Sequence, residues 1–207
     1  MVVRVWLPDR PGALGQVASR IGAVHADVTA IDILERGAGR VIDELVVSLP
    51  DSTSVELLAK EIGAVDGVAV EHIRPASADR PDPATAFLEL AARVAATDAE
   101  DRPATLGHGL LVAADADWVV LASAGGVIMA AGAAPDVRWL EAFLDGSEHL
   151  GPSVLDNGPG DLMWARLPGA GLSVAVGRSG RAIHQRERRR LELLATAVAA
   201  LLTRPIA

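Results

Sequence analysis

The stretch Pro75–Thr85 constrains this chain more than any other. Its eleven residues include three prolines and almost no apolar side chains, a composition too stiff and too polar to run through a hydrophobic core. It divides the 207 residues into a first unit at 1–74, a linker at 75–85 and a second unit at 86–207. Each unit is long enough to bury a core of its own. Half of the chain is apolar and 22% is charged, which excludes disorder.

The first unit alternates its periodicities. Val2 to Leu7 is a β-prone run, and Asp9-Arg-Pro-Gly12 opens a helical pattern with Leu14, Val17, Ala18, Ile21 and Val24 on one face. Val28–Leu34 and Val41–Leu49 are strands, joined as a hairpin through Gly37-Ala-Gly39. Thr53-Ser54 starts a second helix, Asp66-Gly67 ends it, and Val68–Ile73 is a last strand. The order βαββαβ with two right-handed crossovers predicts a ferredoxin-like sandwich, four antiparallel strands under two helices.

The second unit reads as α+β too. Helices are expected at Ala84–Thr97, Pro103–Val112, Val137–Leu144 and Arg190–Leu202, with hairpins at Trp118–Ala131 and Leu162–Val176. That predicts an antiparallel sheet with helices on one side. Trp118 to Pro135 is 18 residues without a formal charge, near the lower limit for a membrane span. Ser123-Ala-Gly-Gly126 at its centre, between two β-prone arms, makes a hairpin the better reading. No membrane association is expected, and a start without a long apolar core predicts a cytoplasmic chain.

Composition removes several chemistries. No cysteine means no disulfide, thiolate metal site or catalytic thiol. A net charge of −8 and 3% aromatics argue against nucleic-acid binding, which needs phosphate neutralisation and stacking platforms. The five histidines are dispersed with no metal-ligand spacing, so neither a metal nor another cofactor is expected. Glu71-His72 and Glu148-His149 are adjacent pairs whose side chains should diverge. No P-loop, dinucleotide fingerprint or nucleophile elbow occurs, and no catalytic residue is assigned.

The turn Asp9-Arg-Pro-Gly-Ala-Leu14 carries the most chemical information. Pro11 suits a first helical turn and Asp9 can cap the amides just ahead. Gly12 and Gly15 leave room for a ligand at the backbone, and a helix N-terminus suits a small carboxylate. An ordinary capped helix start is the plain alternative.

Asp9-x-Pro11-Gly12-x-Leu14, followed by Ala26-Asp27-Val28 at the next strand, resembles the ACT domain over residues 1 to 74. Such domains pair, bind a free amino acid between two copies and regulate an attached or partner function. The resemblance implies a ligand site with Asp9, Arg10, Pro11, Gly12, Ala13 and Leu14 on one side and Asp27 and Val28 on the other. The family often has asparagine where Asp27 stands; a carboxylate there suits an α-ammonium, or Asp27 is a solvated strand start. The second unit resembles a GAF domain in its leading helix, its two hairpins and Gly171-Leu-Ser-Val-Ala-Val-Gly-Arg178 before a final helix. That resemblance implies a second sensing or dimerising surface, without the residues that mark cyclic-nucleotide binders.

Arg178 to Arg190 holds six arginines against Glu187, at a helix start where cations oppose the dipole. Nearby carboxylates should compensate them; the alternative is a patch for an acidic partner. The reading as a whole is a non-catalytic regulatory homodimer sensing a small molecule, an amino acid by resemblance, and signalling to a partner protein. Two alternatives stand beside it. One is an enzyme with its site in the second unit, built on His108 with Asp115 or Asp117. The other is a purely structural dimerisation adaptor.

Overall fold

A computed structural model describes residues 1–77, 80–147 and 160–203. The Glu148-His149 pair lies outside the described residues. The chain divides into two compact units between Arg80 and Pro81.

In the first unit, β1 (Val2–Pro8), α1 (Ala13–Ala23), β2 (Asp27–Gly37), β3 (Arg40–Ser48), α2 (Val55–Gly63) and β4 (Ala69–Arg74) follow in the expected order. The sheet order is β2-β3-β1-β4, with every neighbouring pair antiparallel. This is the ferredoxin-like arrangement. The β2–β3 turn is tight because Ala38 and Gly39 both take positive φ, 50° and 73°. Val3, Val5 and Leu7 of β1 pack with Leu45 and Val47 of β3 against Val17 and Ile21 of α1 and Leu58 and Ile62 of α2. Ser54 caps α2 by accepting from the Leu57 amide at 3.2 Å.

The opposite face of this sheet mixes apolar residues such as Val2 and Ile42 with buried charge. Arg4 donates to Glu44 at 2.7 Å, Arg80 pairs with Glu44 at 3.0 Å, and Arg4 and Glu44 are both buried. The Glu71-His72 pair does not diverge as the strand pattern predicted. The β1–β4 register shifts between Arg4 and Val5, leaving Glu71 as the unpaired extra residue. That bulge turns Glu71 towards Trp6, whose Nε1 donates to it at 3.0 Å, and keeps it 3.9 Å from His72. Burial, and then the Arg4 charge, hold the His72 imidazole below its ordinary pKa.

The second unit runs α3 (Pro83–Ala96), α4 (Arg102–Ala113), β5 (Trp118–Ser123), β6 (Gly126–Gly132), α5 (Val137–Ser147), β7 (Leu162–Leu167), β8 (Leu172–Gly177) and α6 (Gln185–Leu202). Residues 83–85 of the proline-rich stretch are therefore the first turn of α3. Asp82 caps that turn through the amides of Ala84 at 2.9 Å and Thr85 at 3.2 Å. The sheet order is β6-β5-β8-β7, again antiparallel throughout.

Helices cover both faces of this sheet, where one covered side was expected. Val119, Leu121, Met163, Ala165, Val174 and Val176 face a core with residues of α3, α4 and α6. Val120, Ala122, Leu162 and Ala175 face Leu140 and Leu144 of α5. The run Val119-Val120-Leu121-Ala122 is buried on both sides, which is why it lacks polar alternation. The uncharged stretch from Trp118 is the β5–β6 hairpin, and no helix among the described residues is long and apolar enough to cross a membrane.

Candidate functional site

The β1–α1 turn is built on Gly12. Its φ of 82° is left-handed, a conformation glycine adopts without steric cost, and it serves as the helix N-cap. Pro11 stands before the helix and not within its first turn. Asp9 does not cap α1: no side chain does. Its amide donates to the Gly39 carbonyl at 2.9 Å, and its carboxylate lies 3.6 Å from Arg36 of β2. The reason is local. Asp9 directly follows β1 with its amide tied to the β2–β3 turn, so its side chain lies against Arg36 and not on the amides of α1.

The cap positions are consequently open. The Ala13 amide reaches the Arg10 carbonyl at 3.3 Å and the Gln16 amide the Gly12 carbonyl at 3.0 Å. Among the described residues, no carbonyl accepts from the amides of Leu14 or Gly15. Arg10 and Gly12 are exposed, Leu14 is half-buried, and Ala13 is buried. Arg10 reaches Gln16 at 3.2 Å across the mouth of the turn. A helix start with unclaimed amides and an adjacent guanidinium has what a small carboxylate needs.

Asp27 and Val28 are not part of this cluster within one chain. They open β2 opposite Ser48 and Val47, at the far end of the sheet from the Asp9 turn. The 11-residue α1 separates the two ends, a distance of about 16 Å. Asp27 is exposed and Val28 half-buried. One chain alone thus gathers Asp9, Arg10, Pro11, Gly12, Ala13 and Leu14, and leaves Asp27 and Val28 apart.

Residues 1–67 match the family model of the ACT domain. This segment is an ACT domain. ACT domains bind small-molecule ligands and often dimerise, which suggests regulatory ligand binding for the first unit. The match covers 67 of the 207 residues and does not reach the second unit, whose GAF-like resemblance no family match supports. No curated protein matches the sequence. One similar solved structure is a formyltetrahydrofolate deformylase from Pseudomonas putida KT2440, at 13% identity and a TM-score of 0.34, covering 96% of this chain and 91% of that one. A likeness that slight carries nothing about activity.

In the second unit, His108 does not meet Asp115 or Asp117. It is exposed on α4, in a cleft it shares with Arg93, Thr97 and Asp101. Asp115 and Asp117 lie beyond the helix end and are held by Arg181 at 2.6 Å and 3.1 Å. The Ser179 amide, first among several donors, keeps the Asp117 carboxyl below its ordinary pKa. No group of three His, Asp or Glu side chains among the described residues could hold a metal ion.

Within the arginine cluster, Arg178, Arg181 and Arg189 pair with carboxylates. α6 begins at Gln185, so Arg178 and Arg181 precede it. Arg178 is buried, 2.7 Å from Glu187, and donates to the Ala114 and Asp115 carbonyls at the end of α4. A cation suits that helix end. Arg188 donates to the Leu162 carbonyl at 2.5 Å, and Arg189 pairs with Glu192 at 2.9 Å.

Proposed function

We propose that this chain is a non-catalytic regulatory protein whose ACT domain binds a free amino acid between two copies of the chain. The observation that carries the reading is the Gly12 turn, which leaves the Leu14 and Gly15 amides unclaimed at the start of α1. The ligand's carboxylate takes those amides, beside Arg10.

The position of Asp27 supports the pairing. β2 is an edge strand, and Ile31 on it is 50% exposed. Its span, Asp27–Gly37, has Asp32 at the midpoint. Antiparallel pairing of two such edges about that midpoint sets Asp27 of one copy beside Gly37 of the other. Gly37 pairs with Arg40, next to the Gly39 carbonyl that takes the Asp9 amide. Two residue groups held apart in one chain then face each other across the dimer. Ligand binding to this joint site favours the geometry that closes it, by the difference in its affinity for the two states. The second unit adds a further sensing or dimerising surface. In favour of a non-catalytic role, Asp115 and Asp117 are engaged by Arg181 and His108 stands apart from them.

A thermal-shift screen of the common free amino acids against the full chain tests the reading. Stabilisation by at least one of them is expected, lost in Gly12→Val because a β-branched residue is strained at φ 82°. Sedimentation equilibrium should report a dimer, weakened by Ile31→Lys through edge repulsion. No shift with any amino acid refutes the binding role.

A further inference from the structure

Two helices of the second unit turn an apolar stripe to solvent. α3 sends Phe87, Leu90 and Val94 into the core, and α6 sends Leu191, Leu194 and Val198. Helical periodicity then puts Leu88, Ala92 and Ala96 of α3, and Leu193, Ala197 and Ala200 of α6, on the outside. Leu88 is 72% exposed and Leu193 53%. A surface of two leucines among alanines lets another helix approach closely.

One guanidinium fixes how the two helices lie. Arg102 donates from Nε to the Thr97 carbonyl at the end of α3, at 3.0 Å, and from Nη1 to the Leu201 carbonyl near the end of α6, at 2.9 Å. The two C-terminal ends are therefore neighbours, and helices that share one core from there run side by side in the same direction. Leu88 stands nine residues before Thr97 and Leu193 eight before Leu201, so the leucines lie at one height.

The two ends of this face differ in charge. Asp98, Glu100 and Asp101 are exposed at the C-terminal end. Arg186 and Arg189 are exposed at the other, on the first turns of α6, where cations oppose the helix dipole. Arg189 reaches Glu192 at 2.9 Å, and a pair as exposed as this one holds its members weakly. Between the ends, Glu89 and Arg93 of α3 cancel.

We propose that this face binds the same face of a second copy turned end for end, so that the acidic end of each meets the basic end of the other. A copy lying parallel sets arginine against arginine and carboxylate against carboxylate. The reversed copy joins unlike charge at both ends, which makes the patch self-complementary, as a two-fold interface requires. Reversal also brings Leu88 and Leu193 of each copy towards the alanines of the other, whose small side chains leave room for them. The inference rests on the dimerising surface proposed for the second unit and says where that surface is; it is independent of the amino-acid site.

Sedimentation equilibrium on the full chain, in the Ile31→Lys background, separates this face from the β2 edge. Dimers should persist in Ile31→Lys, and adding Leu88→Glu or Leu193→Glu should raise their dissociation constant about tenfold. Both leucines are exposed, so an unchanged Tm shows that the fold is kept. Arg189→Glu and Asp98→Lys should each weaken the dimer about threefold, and the two in one chain should restore it. A swap that fails to restore the dimer overturns the inference, as a parallel pair cannot be rescued in this way. If this face serves a different protein, none of the four substitutions changes the dissociation constant, and the inference falls. An unsubstituted dimer made fully monomeric by Ile31→Lys alone also overturns it and leaves the ACT pairing standing. A dimer untouched by Ile31→Lys and abolished by Leu88→Glu upholds it and overturns the β2 pairing. A monomeric unsubstituted chain overturns both.

Discussion

Single side chains at helix ends and buried pairs set much of the local order. Asp82 receives two amides and the Thr85 hydroxyl at the start of α3. Asp82→Ala should cost about 1 kcal/mol, read from urea denaturation. Hydrogen bonds hold two carboxyls low: Thr85 is the leading donor for Asp82, and the Ser179 amide for Asp117. Their folded-state pKa values lie below the ordinary 3.8, so their stabilisation is complete above that value and lost as pH falls through the folded-state values. Stability should therefore drop on acidification below about pH 4. Asp117→Asn should shrink the difference between urea midpoints at pH 7 and pH 3. Arg178 is more demanding, since it neutralises the buried Glu187 and closes the end of α4. Arg178→Met strands that carboxylate and should cost about 3–5 kcal/mol.

Elements meet in this protein through small residues and bulges. A side chain at Gly177 would meet the Trp118 indole at 2.2 Å, where β8 passes β5. The ring is rigid, so Gly177→Ala should cost about 1–3 kcal/mol in the denaturation of the second unit. Each element of the first unit could be read in the residues: alternating Val2 to Leu7, the Ser54 cap, and Gly37-Ala-Gly39 at a hairpin. The site was legible as a turn, because Pro11, Gly12 and Leu14 carry both a helix start and a family pattern. Its internal wiring was not. Capping preference favours Asp9 over Gly12, yet the bond of its amide to Gly39 sets Asp9 against Arg36. The Glu71 bulge depends on register with a strand 65 residues away, which local periodicity does not contain. The burial of Asp43 did leave a signal: an acidic pair, Asp43-Glu44, within an otherwise apolar strand, where one of the two must face the core. In the second unit, the lack of alternation in β5 signalled burial on both faces, and α5 supplies the second cover.

At the scale of the molecule, two α+β units are joined by a chain segment tied at its end to Glu44 through Arg80. The ACT domain carries the open β1–α1 turn and the exposed edge strand β2, and the proposed site joins the turn of one copy to the edge strand of another. Hydrogen exchange of the full chain, with and without the amino acid that stabilises it best, tests this most directly. The account predicts slowed exchange at the amides of Leu14 and Gly15, with a second protected stretch along β2. Protection confined to the second unit, or no change at the β1–α1 turn, would contradict it.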